Sequence, residues 1–126
     1  MRLAIINTLC NIDDFENRVF QPFVAADGTA TPYCVTKLKE DPAVNNKRGS
    51  FFELQVMIYA SPNDFADLDN LEMQVRALLH NQTIETSDSP PRYFIPEYDR
   101  TLPDWHDEKR NLFVKIIYFR IPLTRA

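Results

Sequence analysis

Two hydrophobic periods meet between Phe51 and His80, and together they restrict the chain to a layered α+β arrangement. Phe52, Leu54, Val56 and Ile58 recur at every second residue, the period of a strand with one face buried, while Glu53 and Gln55 fall on the other face. Ser61-Pro62-Asn63-Asp64 then reads as a helix start. Ser61 is the expected N-cap, Pro62 takes the first helical position where no N–H is needed, and Asp64 completes a capping-box-like pair. Phe65, Leu68, Leu71, Val75, Leu78 and Leu79 fall within a stripe of roughly 140° at helical spacing, the width of a helix facing a core. A strand that runs into a helix of this kind predicts a small antiparallel sheet packed by helices.

The remaining elements extend that layer. Leu3, Ile6, Leu9 and Cys10 carry a helical period, and Asn11-Ile12-Asp13-Asp14 reads as the exit from a short N-terminal helix. Val19 to Val24 is a short extended piece interrupted by Pro22, and Asp27-Gly28-Thr29 is a turn signal. Tyr33 to Leu38 alternates as a strand, with Tyr33, Val35 and Lys37 on one side and Cys34, Thr36 and Leu38 on the other. Lys39 to Ser50, with Lys47 and Arg48, has no apolar period and is expected to be a long loop. After the central helix, Gln82 to Glu85 reads as a short edge strand. Arg92 to Tyr98 reads as an extended segment that Pro96 confines to an edge or a bulge. Asp99 to Lys109, which holds Trp105 and His106, is expected to link two strands as a polar loop. Leu112 to Ile121 is the longest strand and is apolar on nearly both faces, which places it inside the sheet. Its residues Phe113, Ile117, Phe119 and Ile121 are expected to exceed what one helix covers. At roughly 1.5–3 kcal/mol for each buried side chain, they would be able to drive assembly or, equally, to hold an internal helix as part of the core.

Composition narrows the function more by exclusion than by indication. The 126 residues suit one domain, residues 1–126, able to fold without a disulfide or metal. No apolar run approaches a membrane span, and the acidic residues soon after Met1 do not suit a signal peptide. Cys10 and Cys34 are far apart in sequence and outside any Cys-x-x-Cys spacing, so both are expected to be buried, reduced thiols. A net charge of −4 provides little general attraction for nucleic acid.

Chemistry finds no motif. Two glycines cannot build a phosphate loop or a dinucleotide fingerprint, and no Gly-x-Ser-x-Gly elbow exists. The stretch Asp104-Trp105-His106-Asp107-Glu108 mixes an imidazole with carboxylates. It lacks the three fixed ligands of a catalytic zinc, and His80 is the only other histidine. His80 is better placed as a cation at the C-terminal end of the helix dipole. The acids Asp64, Asp67 and Asp69 suit a helix N-terminus, and Glu72 with Arg76 forms an i,i+4 pair. No catalytic residue, cofactor or metal is expected.

The order of elements resembles the tail terminator and tail-completion (head–tail connector) proteins of long-tailed double-stranded-DNA phages and prophages. The similar features are the short N-terminal helix, Pro32-Tyr33-Cys34-Val35 opening a strand, the long loop, and the Phe52-Leu54-Val56-Ile58 strand. They continue through a Ser-Pro-capped helix ending near Leu78-Leu79 to a last strand reached by a polar loop with His106. Pro96 departs from the pattern by shortening a strand. The resemblance implies a non-catalytic virion protein that assembles in the host cytoplasm as a hexameric ring. That ring would cap the tail tube protein, join it to the head connector proteins at the tail–head junction, and pass DNA without specific binding. On this reading Lys47 and Arg48 reach a neighbouring ring or subunit, Trp105 and His106 contact the tube or connector, and Phe113 and Phe119 lie at an interface. The alternative is a small ligand-binding or regulatory α+β domain without catalysis.

Overall fold

The computed structural model describes residues 1–22, 29–40, 51–63 and 65–122. Helix α1 spans Arg2–Leu9 and is followed by a 3-10 turn at Asp13–Phe15. The strands are β1 (Val19–Phe20), β2 (Tyr33–Glu40), β3 (Phe51–Ala60), β4 (Ile84–Glu85), β5 (Tyr93–Phe94), β6 (Glu97–Thr101), β7 (Trp105–Asp107) and β8 (Leu112–Pro122), with helix α2 (Leu68–Leu79) between β3 and β4. The main sheet has the order β1-β2-β3-β8-β6, and β7 also pairs with β8. Every pairing in it is antiparallel except β1 with β2, which is parallel. β4 and β5 form a separate two-stranded sheet. The fold is α+β, as the two periods predict.

Both helices cover the same face of the sheet. Leu54, Val56 and Ile58 of β3, Cys34 of β2 and Ile117, Phe119 and Ile121 of β8 join one core cluster with Ile5 and Leu9 of α1 and Leu68, Leu71, Val75 and Leu79 of α2. The strand pattern is borne out, as is the α2 stripe from Leu68 onward, with Leu78 partly buried; the Phe65 side chain lies outside what is described. In α1 the buried line runs through Ile5, Leu9 and Ile12, while Leu3 points out. That line is also an i, i+4, i+7 series, and it wins because Ile12 and the buried Phe15 continue it past the helix end.

Two expected boundaries differ. The α-helical backbone begins at Leu68, after a 3-10 turn at Phe65–Asp67, and Asp67, not Ser61, is its N-cap residue. Asp67 has helical dihedrals and makes no side-chain cap bond, so the tighter turn leads directly into the helix. Asp64 lies outside the described residues. The segment from Asp99 to Lys109 is not one loop. β6 continues to Thr101, Leu102 donates its N–H to the Ile116 carbonyl at 2.9 Å, and β7 resumes the pairing with β8. β6 and β7 thus form a single interrupted edge along β8, broken around Pro103, which has no N–H to donate.

The most consequential correction concerns β8. Phe113, Ile117, Phe119 and Ile121 share the face that the helices cover, and Phe119 is wholly buried there. Two helices and the adjoining turns supply the cover that one helix would not. The other face of β8, left open by the helices, carries Leu112, Val114, Ile116, Tyr118 and Arg120; Val114 is buried on it, and the remainder is partly or fully exposed.

Candidate interaction surface

Strand register lines up the residues of the open face in transverse rows. Phe20, Val35, Met57 and Ile116 are successive partners across β1, β2, β3 and β8, so an apolar row crosses four strands. On one side lies the row Tyr33, Tyr59, Val114 and Trp105, in which the Tyr33 and Tyr59 rings stack at 4.8 Å. On the other side polarity rises, first through Lys37, Gln55, Tyr118 and Arg100, then through Lys39, Glu53, Arg120 and Glu97. The Arg100 guanidinium sits 4.0 Å above the Tyr118 ring while pairing with Asp99 at 2.6 Å. The face therefore grades from aromatic, through apolar, to charged.

A groove of about 240 Å³ opens at the aromatic end, lined by Pro22, Tyr33, Val35, Lys37, Met57, Tyr59 and Arg110. Burial, followed by the adjacent Tyr33, pushes the Tyr59 hydroxyl above its ordinary pKa, so it remains a neutral donor, directed at the Met57 sulfur 4.0 Å away. A second apolar patch surrounds the β4–β5 pair, where Tyr93 and Ile95 are exposed beside Pro122.

The core side of the sheet holds a charged cluster that sequence reasoning missed. Lys115 projects from β8 toward α2, and its Nζ lies 2.9 Å from Asp69, 3.0 Å from Asp104 and 3.5 Å from Glu72. Burial alone would lower its pKa. Hydrogen bonds to Asp69 and Asp104 and the charges of Asp104 and Glu72 outweigh that effect, so the ammonium sits above the usual lysine range. Glu72 also accepts from the Thr101 hydroxyl at 3.0 Å and pairs with Arg76 at 3.8 Å, and Arg76 lies 3.8 Å over the Tyr98 ring. The expected Glu72–Arg76 pair is thus one part of a network tying α2 to β6 and β8. An available signal was parity, since Lys115 is the one charged residue in the series Phe113, Ile117, Phe119 and Ile121. A mixed cluster of this kind holds elements together, and its lysine is charged and therefore a poor nucleophile.

The sequence-predicted residues are dispersed. Lys47 and Arg48 lie outside the described residues. Trp105 is about half exposed on the open face, whereas its neighbour His106 packs against the Phe113 ring at 4.8 Å and bonds Asn111 at 2.9 Å. Phe113 and Phe119 back the core, as described above. Asp104, first grouped with His106, is committed to Lys115. Among the described residues no group of three or more His, Cys, Asp or Glu side chains is arranged to hold a metal ion. His80 closes α2, and the Tyr98 N–H donates to its Nδ1 at 2.8 Å. Cys10 is half-buried and Cys34 wholly buried, both are free thiols, and burial raises the pKa of both. No described helix is long and apolar enough to cross a membrane.

No protein-family model matches the chain, and no curated protein matches it in sequence. Among solved structures, a chain from the virion of a native gene transfer agent (GTA) particle shares the fold. The TM-score is 0.72 at 16% identity, over 97% of this chain and 92% of that one.

Proposed function

We propose that this protein is a structural component of a phage-like particle, acting as its tail terminator or tail-completion protein. The observation that carries this reading is the fold shared with a GTA virion chain over nearly the whole length of both proteins. It agrees with the order of elements, which resembles tail terminators through an independent route. In this role the chain forms a ring, hexameric by the resemblance, that caps the tail tube and joins it to the head connector. It works through surfaces and not through catalysis, with no cofactor, and its place is the tail–head junction after assembly in the host cytoplasm. Trp105, exposed on the open sheet face, suits a contact with the tube or connector, with His106 at its side. The segment holding Lys47 and Arg48 is proposed to reach a neighbouring ring. A net charge of −4 suits a passage through which DNA moves without sticking.

Removing the gene from a particle-producing genome tests the role. Heads and tails should accumulate unjoined, and joined particles at normal yield would overturn the reading. Light scattering on the purified chain tests the ring, with six copies of the 14.7 kDa chain as the expected mass. The aromatic groove favours the alternative of a ligand-binding or regulatory domain. A metabolite that raises the melting temperature and is lost on Tyr59→Ala would support that alternative.

A further inference from the structure

The outer side of α2 is as informative as its buried stripe. Met73 is 69% exposed, an unusual position for a large apolar side chain on a solvated helix face. Asp69 lies one turn before it on the same side, at i,i+4 spacing, with its side chain 87% exposed even while one oxygen meets Lys115. The outer face of α2 therefore presents an apolar knob beside an acid.

The groove on the far side of the sheet has the opposite character. Half-buried Met57 and Tyr59 supply its accessible apolar surface over the buried Tyr33 and Val35, and the charged side chains that line it among the described residues, Lys37 and Arg110, are both cations. Among the described residues no carboxylate lines it, although Asp107 is near enough to act on Tyr59. α2 packs on the covered face of the sheet and the groove lies on the open face, so one copy cannot bring its own Met73 to its own groove.

We propose that the groove receives α2 of a second copy of this chain, with Met73 seated against Met57 and Tyr59 and Asp69 directed toward Lys37. Apolar surface meets apolar surface, and the acid of one side meets the cations of the other. Methionine suits the seat because its unbranched thioether adapts to an irregular aromatic surface. The two surfaces differ, so the contact is head-to-tail, and repetition closes a ring where the rotation allows. The inference rests on the ring reading above and adds to it the two surfaces that meet.

Two variants and their mixture test the contact by light scattering. Met73→Lys alters a solvated side chain and leaves the core untouched. Met57→Lys places a cation in the groove, and its circular dichroism spectrum and melting temperature report whether it folds, with Lys37→Glu as a second groove variant at an exposed position. The wild-type chain should be oligomeric, and each variant should fall to the mass of one chain. An equimolar mixture of Met73→Lys and Met57→Lys retains one intact groove and one intact α2 per pair, and should yield a one-to-one dimer and nothing larger. The proposal is overturned if Met73→Lys keeps the wild-type mass, or if Lys37→Glu and a folded Met57→Lys both keep it. A mixture that stays monomeric with both chains folded overturns it as well. A wild-type chain that is monomeric at every concentration also ends it, while the particle-assembly experiment still decides the virion role separately.

Discussion

A lysine whose stem is buried among apolar strands is stable only where its ammonium finds charge, and Lys115 finds it in Asp69, Asp104 and Glu72. The residue acts as a rivet. Asp69 and Glu72 come from α2, and Asp104 comes from the interruption between β6 and β7, so one side chain holds two segments to β8. Replacing it by methionine preserves much of the packing and removes the cation that Asp69 and Asp104 meet, while Glu72 keeps Thr101 and Arg76. Because Asp69 is largely exposed, water screens part of that loss, and the expected cost is about 1–3 kcal/mol, below that of breaking a fully buried pair. The pH dependence follows from the direction of the shift. The folded lysine holds its proton more tightly than the unfolded one, so the stabilisation is complete at neutral pH. It fades only as pH rises past the ordinary lysine value of about 10.4 toward the raised folded value. Urea midpoints of wild type and Lys115→Met should therefore differ by a constant amount from pH 7 to about 9 and converge above about 10.4. A gap that closes between pH 7 and 9 would show that the lysine is not held as described.

The main sheet shows how much its two faces can differ. Phe119 and Trp105 are both large aromatics expected to serve contacts, yet Phe119 has no exposed surface and Trp105 is 47% exposed. Phe119→Ala should cost about 3–5 kcal/mol, the range for emptying a core position of this size. Trp105→Ala should cost about 1 kcal/mol or less and act instead on joining to partners. Thermal melts of the two variants check the contrast, and comparable losses would mean that Trp105 is structural. This pair also marks the limit of what the chain makes legible. The period of β3, the apolar stripe of α2 and the length of β8 were readable because each runs for many residues against one core. The two faces of β8 were not distinguishable, since both are apolar and only the positions of α1 and α2 decide which is covered. β7 was hidden for another reason. Trp105-His106-Asp107 is too short for a period, and its extended form is imposed by pairing with Leu112, Phe113 and Val114. The open-face groove was beyond reach altogether, because Tyr33 and Tyr59 become neighbours only once β2 and β3 are in register.

At the scale of the whole molecule, stability should be graded outward from the β3–β8 pair. These strands are joined over ten consecutive register positions, and each has a further partner on its other side, β2 for β3 and β6 with β7 for β8. Their inward residues Leu54, Val56, Ile58, Ile117, Phe119 and Ile121 lie at the middle of the core beneath the helices. Such amides are released only when the molecule opens as a unit. The β4–β5 pair is the opposite case: two residues in each strand, a sheet of its own, and one buried residue per strand. Its hydrogen bonds can open without disturbing the main sheet. Native-state hydrogen exchange should therefore show the slowest exchange at Leu54 to Ile58 and Ile116 to Phe119, tracking global stability as urea is added. The amides of Ile84 to Thr86 and Tyr93 to Phe94 should exchange far faster and show little response to urea. Equal protection in the two regions would mean that the small hairpin belongs to the same cooperative unit. In the proposed ring the grading has a use: the rigid centre fixes α2 and the groove relative to each other, which lets one contact geometry repeat around a closed assembly.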